Sequence, residues 1–265
     1  MRRIRVFVLV AGFAILLLRC IEILGFCRVW DNSLSNDVGS STYYSSGVGA
    51  IGIKLGLAPT TDARKLIPLD LLTDEQGQNV SCPPNTKPIF NNPSTSLYLY
   101  STYKIPLVIH QTFKTRCVTD DFYQLTLAWK GLGIPYYFHD DAAIERLIHS
   151  GHKLIPHLQL VWDHCITKPV VKTDLWRLLL LHEYGGIYAD LDTKPESFHP
   201  RKTLRWNDEM YTVPDQIGLP SFHFMASMPQ HPLPFLTLQH ALRQLQFKKD
   251  VGYYNPAKVP GKAVY

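Results

Sequence analysis

The strongest constraint on this chain is an apolar, helix-length run that stops at two glycines and restarts as a short strand. Residues 173–184 carry Leu175, Trp176, Leu178, Leu179, Leu180 and Leu181, apolar on most sides of a helix, so the run is expected to be largely buried. Gly185-Gly186 ends it, and Ile187-Tyr188-Ala189 reads as a strand leading into Asp190-Leu191-Asp192. Other elements alternate in the same way. Strands are expected over 106–110, 134–138, 210–213 and 222–225. Helices are expected over 119–129, closed near Gly131 or Gly133, and from an Asp140 or Asp141 cap to His149, with Gly151 just beyond. A third helix is expected over 157–166, ending before Pro169, and a last one over 232–247. Alternation of this kind predicts an α/β sandwich around a mainly parallel sheet.

The N-terminus has a different character. Arg2, Arg3 and Arg5 precede an apolar run over 6–18, and a patchier one continues to Cys27, together approaching the roughly 20 residues that cross a bilayer. Arg19 and Glu22 interrupt it three apart on one helical face, where they can pair. A cleaved signal peptide is the competing reading, but no clear small-x-small site precedes Trp30. Residues 1–5 are therefore read as a cytosolic tail and 6–27 as a signal-anchor transmembrane helix, with the remaining chain in the lumen. Residues 28–100, rich in Ser, Gly, Asn and Pro, are read as a stem or linker before a domain over 101–265. The three N-terminal arginines supply most of the formal charge of +5, which leaves no footprint for nucleic acid.

Asn79-Val80-Ser81 is a glycosylation sequon that fits the lumenal side. Beyond Cys20 and Cys27 the chain has Cys82, Cys117 and Cys165, enough for one disulfide; Cys117 with Cys165 is the expected pair, with ordinary buried thiols as the alternative.

An Asp-x-Asp triplet occurs about once by chance in a chain this long, so its context carries the information. In an extended segment Asp190 and Asp192 project to one side and Leu191 to the other. The preceding strand places both carboxylates at its C-terminal end, where open α/β sheets bind ligands. Two hard oxygen donors suit Mn²⁺ or Mg²⁺, which neutralises charge on a departing nucleoside diphosphate. A solvated turn is the plain alternative. Upstream, Asp174 and Arg177 lie three apart on the buried helix, where a carboxylate and a guanidinium can fix sugar hydroxyls.

Three ordered motifs then resemble glycosyltransferase family 32. They are Ile105-Pro106-Leu107-Val108-Ile109-His110-Gln111-Thr112-Phe113-Lys114, Lys172-Thr173-Asp174-Leu175-Trp176-Arg177, and Tyr184-Gly185-Gly186-Ile187-Tyr188-Ala189-Asp190-Leu191-Asp192-Thr193. That family includes the fungal mannosyltransferase that initiates N-glycan outer chains and the inositol-phosphorylceramide mannosyltransferases, and is related to the glucosylating clostridial toxins. The resemblance covers roughly residues 103 to 260. It implies a GT-A-type nucleotide-sugar-binding sandwich and a retaining, Mn²⁺- or Mg²⁺-dependent transfer of a hexose, mannose favoured, to a glycan or glycolipid. The implied donor is GDP-mannose, with a UDP-hexose as the alternative, and the implied location is the Golgi or endoplasmic reticulum membrane, single-pass type II.

By motif position, Asp190 and Asp192 would be the catalytic and metal-binding pair, Asp174 and Arg177 would bind the donor sugar, and His110 and Gln111 the nucleotide. A satisfied core histidine is the alternative for His110. Met225-Ala226-Ser227-Met228-Pro229-Gln230-His231-Pro232 also resembles a family segment, although relatives usually carry Asn where Phe222 or His223 stands. Relatives usually continue past the region ending at Tyr265, so the domain is expected to be C-terminally shortened or incomplete. Two other classes remain: a non-catalytic carbohydrate-binding or scaffold protein, and a phosphotransferase with Asp190 as nucleophile, which Lys194 disfavours.

Overall fold

The computed structural model describes residues 66–73, 80–93, 102–152, 154–155, 158–214 and 220–247. The chain divides into units Met1–Leu66 and Ile67–Tyr265, and the fold described is that of the second. The expected anchor over 6–27 and the sequon residue Asn79 lie outside the described residues, among which no helix is long and apolar enough to cross a membrane.

The elements in order are α1 (Leu69–Thr73), β1 (Thr86–Pro88), β2 (Ile109–Thr112), β3 (Cys117–Thr119), α2 (Asp120–Lys130), β4 (Tyr136–His139) and α3 (Asp141–Ile148). They continue as α4 (Leu158–His164), α5 (Pro169–Glu183), β5 (Gly186–Ala189), α6 (Pro200–Thr203), β6 (Met210–Pro214), β7 (Pro220–Ser227) and α7 (Pro232–Phe247). The main sheet has the order β4-β2-β5-β7-β6, and β1 pairs separately with β3. β2 runs parallel to β4 and β5, whereas β7 is antiparallel to both β5 and β6. The sheet is therefore mixed: β7 runs against the other four strands. Residues 215–219 between β6 and β7 are too few for a crossover, so the chain must return beside itself.

Successive side chains alternate across this sheet. Tyr137, Tyr188 and Met225 point into one core with α3, α4, α5 and α7, while Tyr136, Phe138, Ile187, Ala189, Phe224 and Ala226 point into another with Trp129 of α2. Asp140 caps α3 as expected, accepting from the Ala143 amide at 2.9 Å.

Two boundaries differ from expectation for reasons involving proline. The helix expected from 173 begins at Pro169, because proline at the first helical position lacks only an amide that would be unpaired anyway. The strand expected over 106–110 joins the ladder only at Ile109, since Pro106 has no donor and its carbonyl accepts the Val108 amide.

Part of the stretch read as stem packs into this unit. Leu72 and Ile89 are fully buried, and β1 lies antiparallel on β3 with Pro88 opposite Cys117. That pairing corrects the expected disulfide: Cys117 is bonded to Cys82, not to Cys165. Cys165 is itself disulfide-bonded and packs against the helical core beyond α4. Buried Arg116 next to the disulfide donates to the carbonyls of Thr73 (2.7 Å), Phe138 (3.1 Å) and Ile89 (3.2 Å), and lies 3.4 Å from Asp140 Oδ2.

The Gly185-Gly186 break is a requirement rather than a preference. Both residues have positive φ, +65° and +99°. A Cβ on Gly185 would lie 2.7 Å from Pro229 N and 2.8 Å from Ser227 O, and one on Gly186 would lie 2.7 Å from Val108 Cγ1 and 2.8 Å from His110 Nε2. Gly185→Ala is expected to cost about 3 kcal/mol from left-handed strain plus backbone overlap. Urea denaturation measures this, and a loss below about 1 kcal/mol would contradict it.

Candidate active site

Asp190 follows the last residue of β5 at the end of the sheet where β2, β4 and β5 terminate. The expected extended Asp-x-Asp does not form. Leu191 and Asp192 lie in a turn, closed by the Thr193 amide donating to Asp190 O at 3.1 Å and the Thr193 hydroxyl donating to the same oxygen at 2.6 Å. The hydroxyl gives the backbone a local partner that competes with strand extension. Leu191 is buried in the α2-side core, and Asp192 stays exposed.

Arg177 gathers the expected sugar-binding and metal-binding residues at one point. Its Nη2 lies 3.1 Å from Asp174 Oδ1 and 3.3 Å from Asp190 Oδ1, and its Nη1 donates to Phe222 O at 2.5 Å. The Tyr188 hydroxyl also donates to Asp190 Oδ1, at 2.6 Å, and the Tyr188 ring lies 4.5 Å beneath the guanidinium. Tyr188 is missing from the sequence-derived site, yet Tyr188 and Asp190 are two apart along one strand, and that spacing alone predicts a shared face.

Burial pushes the Asp174 carboxyl up to about 6; Arg177 opposes the shift and Asp190 reinforces it. Burial also opposes the charge on Arg177, but Tyr188, Asp190, Asp174 and Asp192 outweigh it and hold the guanidinium firmly protonated. Burial raises the Tyr188 phenol, which stays a neutral donor. A carboxyl with a raised folded-state pKa contributes stability below its unfolded value, near pH 4, and loses that contribution as pH rises through about 6. In metal-free protein, Asp174→Asn is therefore expected to flatten stability between pH 4.5 and pH 7.5. Denaturation at both pH values tests this; an unchanged slope would contradict it.

The two expected nucleotide residues are fully buried. His110 Nδ1 lies 3.1 Å from His139 Nε2, and burial lowers His110 to about 3, so its imidazole is neutral. Gln111 donates to Asp190 O at 3.2 Å and accepts from the Tyr136 hydroxyl at 3.0 Å. Just past β2, Phe113 is 38% exposed and packs on Phe122, so an aromatic surface stands at the same end of the sheet as Asp190.

The donor set fits a divalent cation of the Mg²⁺ or Mn²⁺ type, since Asp190 and Asp192 offer hard carboxylate oxygens on a turn open to solvent. Among the described residues, Glu145 of α3, His149 just past its end and Asp163 of α4 also bring ligand-type atoms within 4.8 Å of one another. Ordinary ion pairs account for that group: His149 lies 3.4 Å from Asp163 and 3.9 Å from Glu145, while Glu145 also takes Trp162 Nε1 and Lys172.

A carboxylate turn at the end of a sheet, with a partly buried Asp-Arg pair behind it, is suited to a polar ligand that carries a divalent cation. Residues 94–211, somewhat under half of the chain, match the family described as the glycosyltransferase sugar-binding region containing DXD motif. The chain is also similar to a solved structure described as "PaToxG Glycosyltransferase", at 17% identity and a TM-score of 0.42, over 58% of this chain and 64% of that one. The similarity thus spans less than two thirds of that protein's length. No curated protein matches.

Proposed function

We propose that this protein is a metal-dependent, retaining glycosyltransferase that moves a hexose, mannose favoured, from a nucleotide-sugar to a glycan or glycolipid acceptor. The observation that carries the reading is the convergence of Asp174 and Asp190 on Arg177, which joins two motifs separated by a helix and a Gly-Gly break. Asp192 and Asp190 would hold Mn²⁺ or Mg²⁺, and the bound ion would supply positive charge to the departing diphosphate. The protein's own residues do the rest. Arg177 and the Tyr188 hydroxyl fix the Asp190 carboxylate, Asp174 offers a partly buried carboxyl for a sugar hydroxyl, and Phe113 offers a face on which a base can stack. His110 and Gln111 support the site from within the sheet, because neither exposes surface to a nucleotide. The proposed setting remains the lumenal side of the Golgi or endoplasmic reticulum membrane, which rests on the sequence of residues 1–27.

A donor screen tests the reading. With Mn²⁺ present, GDP-mannose is expected to be hydrolysed faster than UDP-glucose or UDP-galactose. Preference for a UDP-hexose would remove the mannosyl assignment, and saturable binding without turnover of any donor would favour a carbohydrate-binding role.

A further inference from the structure

We propose that Tyr136 and Gln111 form a positioning relay that sets the carbonyl of Asp190, and with it the metal affinity of the turn, from the face of the sheet opposite Arg177. The metal part of this inference rests on the functional reading above; the backbone part does not.

The Asp190 carboxylate is held on the α5 face by Tyr188 and Arg177. Its carbonyl is held differently. Two of the bonds it accepts come from Thr193, inside the turn, and move with it. The bond from Gln111 Nε2 instead ties the turn to β2. The Asp190 amide donates to His223 O at 2.8 Å, and Trp129 Nε1 donates to Thr193 O at 2.9 Å, so the turn is braced on β7 and α2 as well.

A glutamine amide can present either its NH₂ or its oxygen to a neighbour. Presenting the oxygen here would set acceptor against acceptor. The acceptor-only Asp190 carbonyl requires the NH₂ to face it, and the Tyr136 hydroxyl donates to the Gln111 Oε1 on the other side, holding that orientation at both ends. Tyr136 and Gln111 are both fully buried, so water cannot readily substitute for either group. Tyr136 thus braces the amide in the orientation that the Asp190 carbonyl selects, and Gln111 is the arm that reaches the turn.

The test compares wild type with Tyr136→Phe, Gln111→Met and the double variant, with Ile134→Val as a core control of similar or greater stability loss. Mn²⁺ affinity in the presence of a nucleoside diphosphate is read by the electron paramagnetic resonance of free Mn²⁺. Exchange of the Asp190 and Thr193 amide protons is read without metal. Each relay variant is expected to weaken Mn²⁺ binding about fivefold and to speed both amides by a similar factor, the loss of one buried hydrogen bond. The double variant should be no worse than Gln111→Met, and Ile134→Val should leave affinity and both amides unchanged. If wild type binds no Mn²⁺, the functional reading fails, and the relay stands or falls on amide exchange alone. Unchanged amides in Tyr136→Phe, or equal changes in Ile134→Val, would overturn the relay.

Discussion

Asp192→Ala is expected to lower metal-dependent nucleotide-sugar turnover about a thousandfold while changing the unfolding free energy by less than about 0.5 kcal/mol. The two effects separate because of where the side chain stands. Its exposed carboxylate makes no hydrogen bond or ion pair with the described residues, so the fold loses little when it is removed. On the proposed function, the site would lose one of the two carboxylates that would hold the metal, and charge on a departing diphosphate would go unneutralised. Initial-rate and urea measurements on the same preparation check both halves. Turnover within tenfold of wild type would contradict the assignment.

Arg177→Met should behave in the opposite way, losing fold and function together. The substitution deletes the donor to Phe222 O and the buried cation shared by Asp174 and Asp190, leaving two partly buried carboxylates near one another without compensation. Removing one partner of such a buried network costs about 3–5 kcal/mol. Arg177→Lys restores charge but not the fork that reaches Phe222 and the carboxylates at once, so it should recover less than half of that loss. Thermal and urea unfolding of the three proteins measure the series, and a cost below about 1 kcal/mol for Arg177→Met would mean that Arg177 is not the hub of the site.

Much of this site can be read from the sequence because its punctuation is sharp. An apolar helix, two glycines and a three-residue strand can hardly be arranged otherwise, and they lead straight to Asp190. The shape of the triplet was less legible: it is a turn because Thr193 bonds back to Asp190, a local hydroxyl signal outweighed by the strand pattern before it. The disulfide depended on β1 meeting β3, a three-residue pairing with no periodicity to reveal it, so Cys82 did not stand out as the partner of Cys117. His110 with His139 and Gln111 with Tyr136 are contacts between neighbouring strands, fixed only once β2 and β4 align in register. Motif position brought His110 and Gln111 to the right end of the sheet; burial then makes them supports beneath the site, and Phe113, just past the same strand, is the side chain that reaches solvent.

The most direct test of the central claim is calorimetric titration of GDP and UDP into wild type and into the Asp190→Asn/Asp192→Asn double variant, with and without Mn²⁺. The predicted result is that wild type binds at least one of the two nucleotides in a Mn²⁺-dependent way, and that affinity falls at least about tenfold when the metal is withheld or both carboxylates are neutralised. Equal binding without Mn²⁺, or undiminished binding by the double variant, would contradict the claim that this turn holds a metal and a nucleotide-sugar.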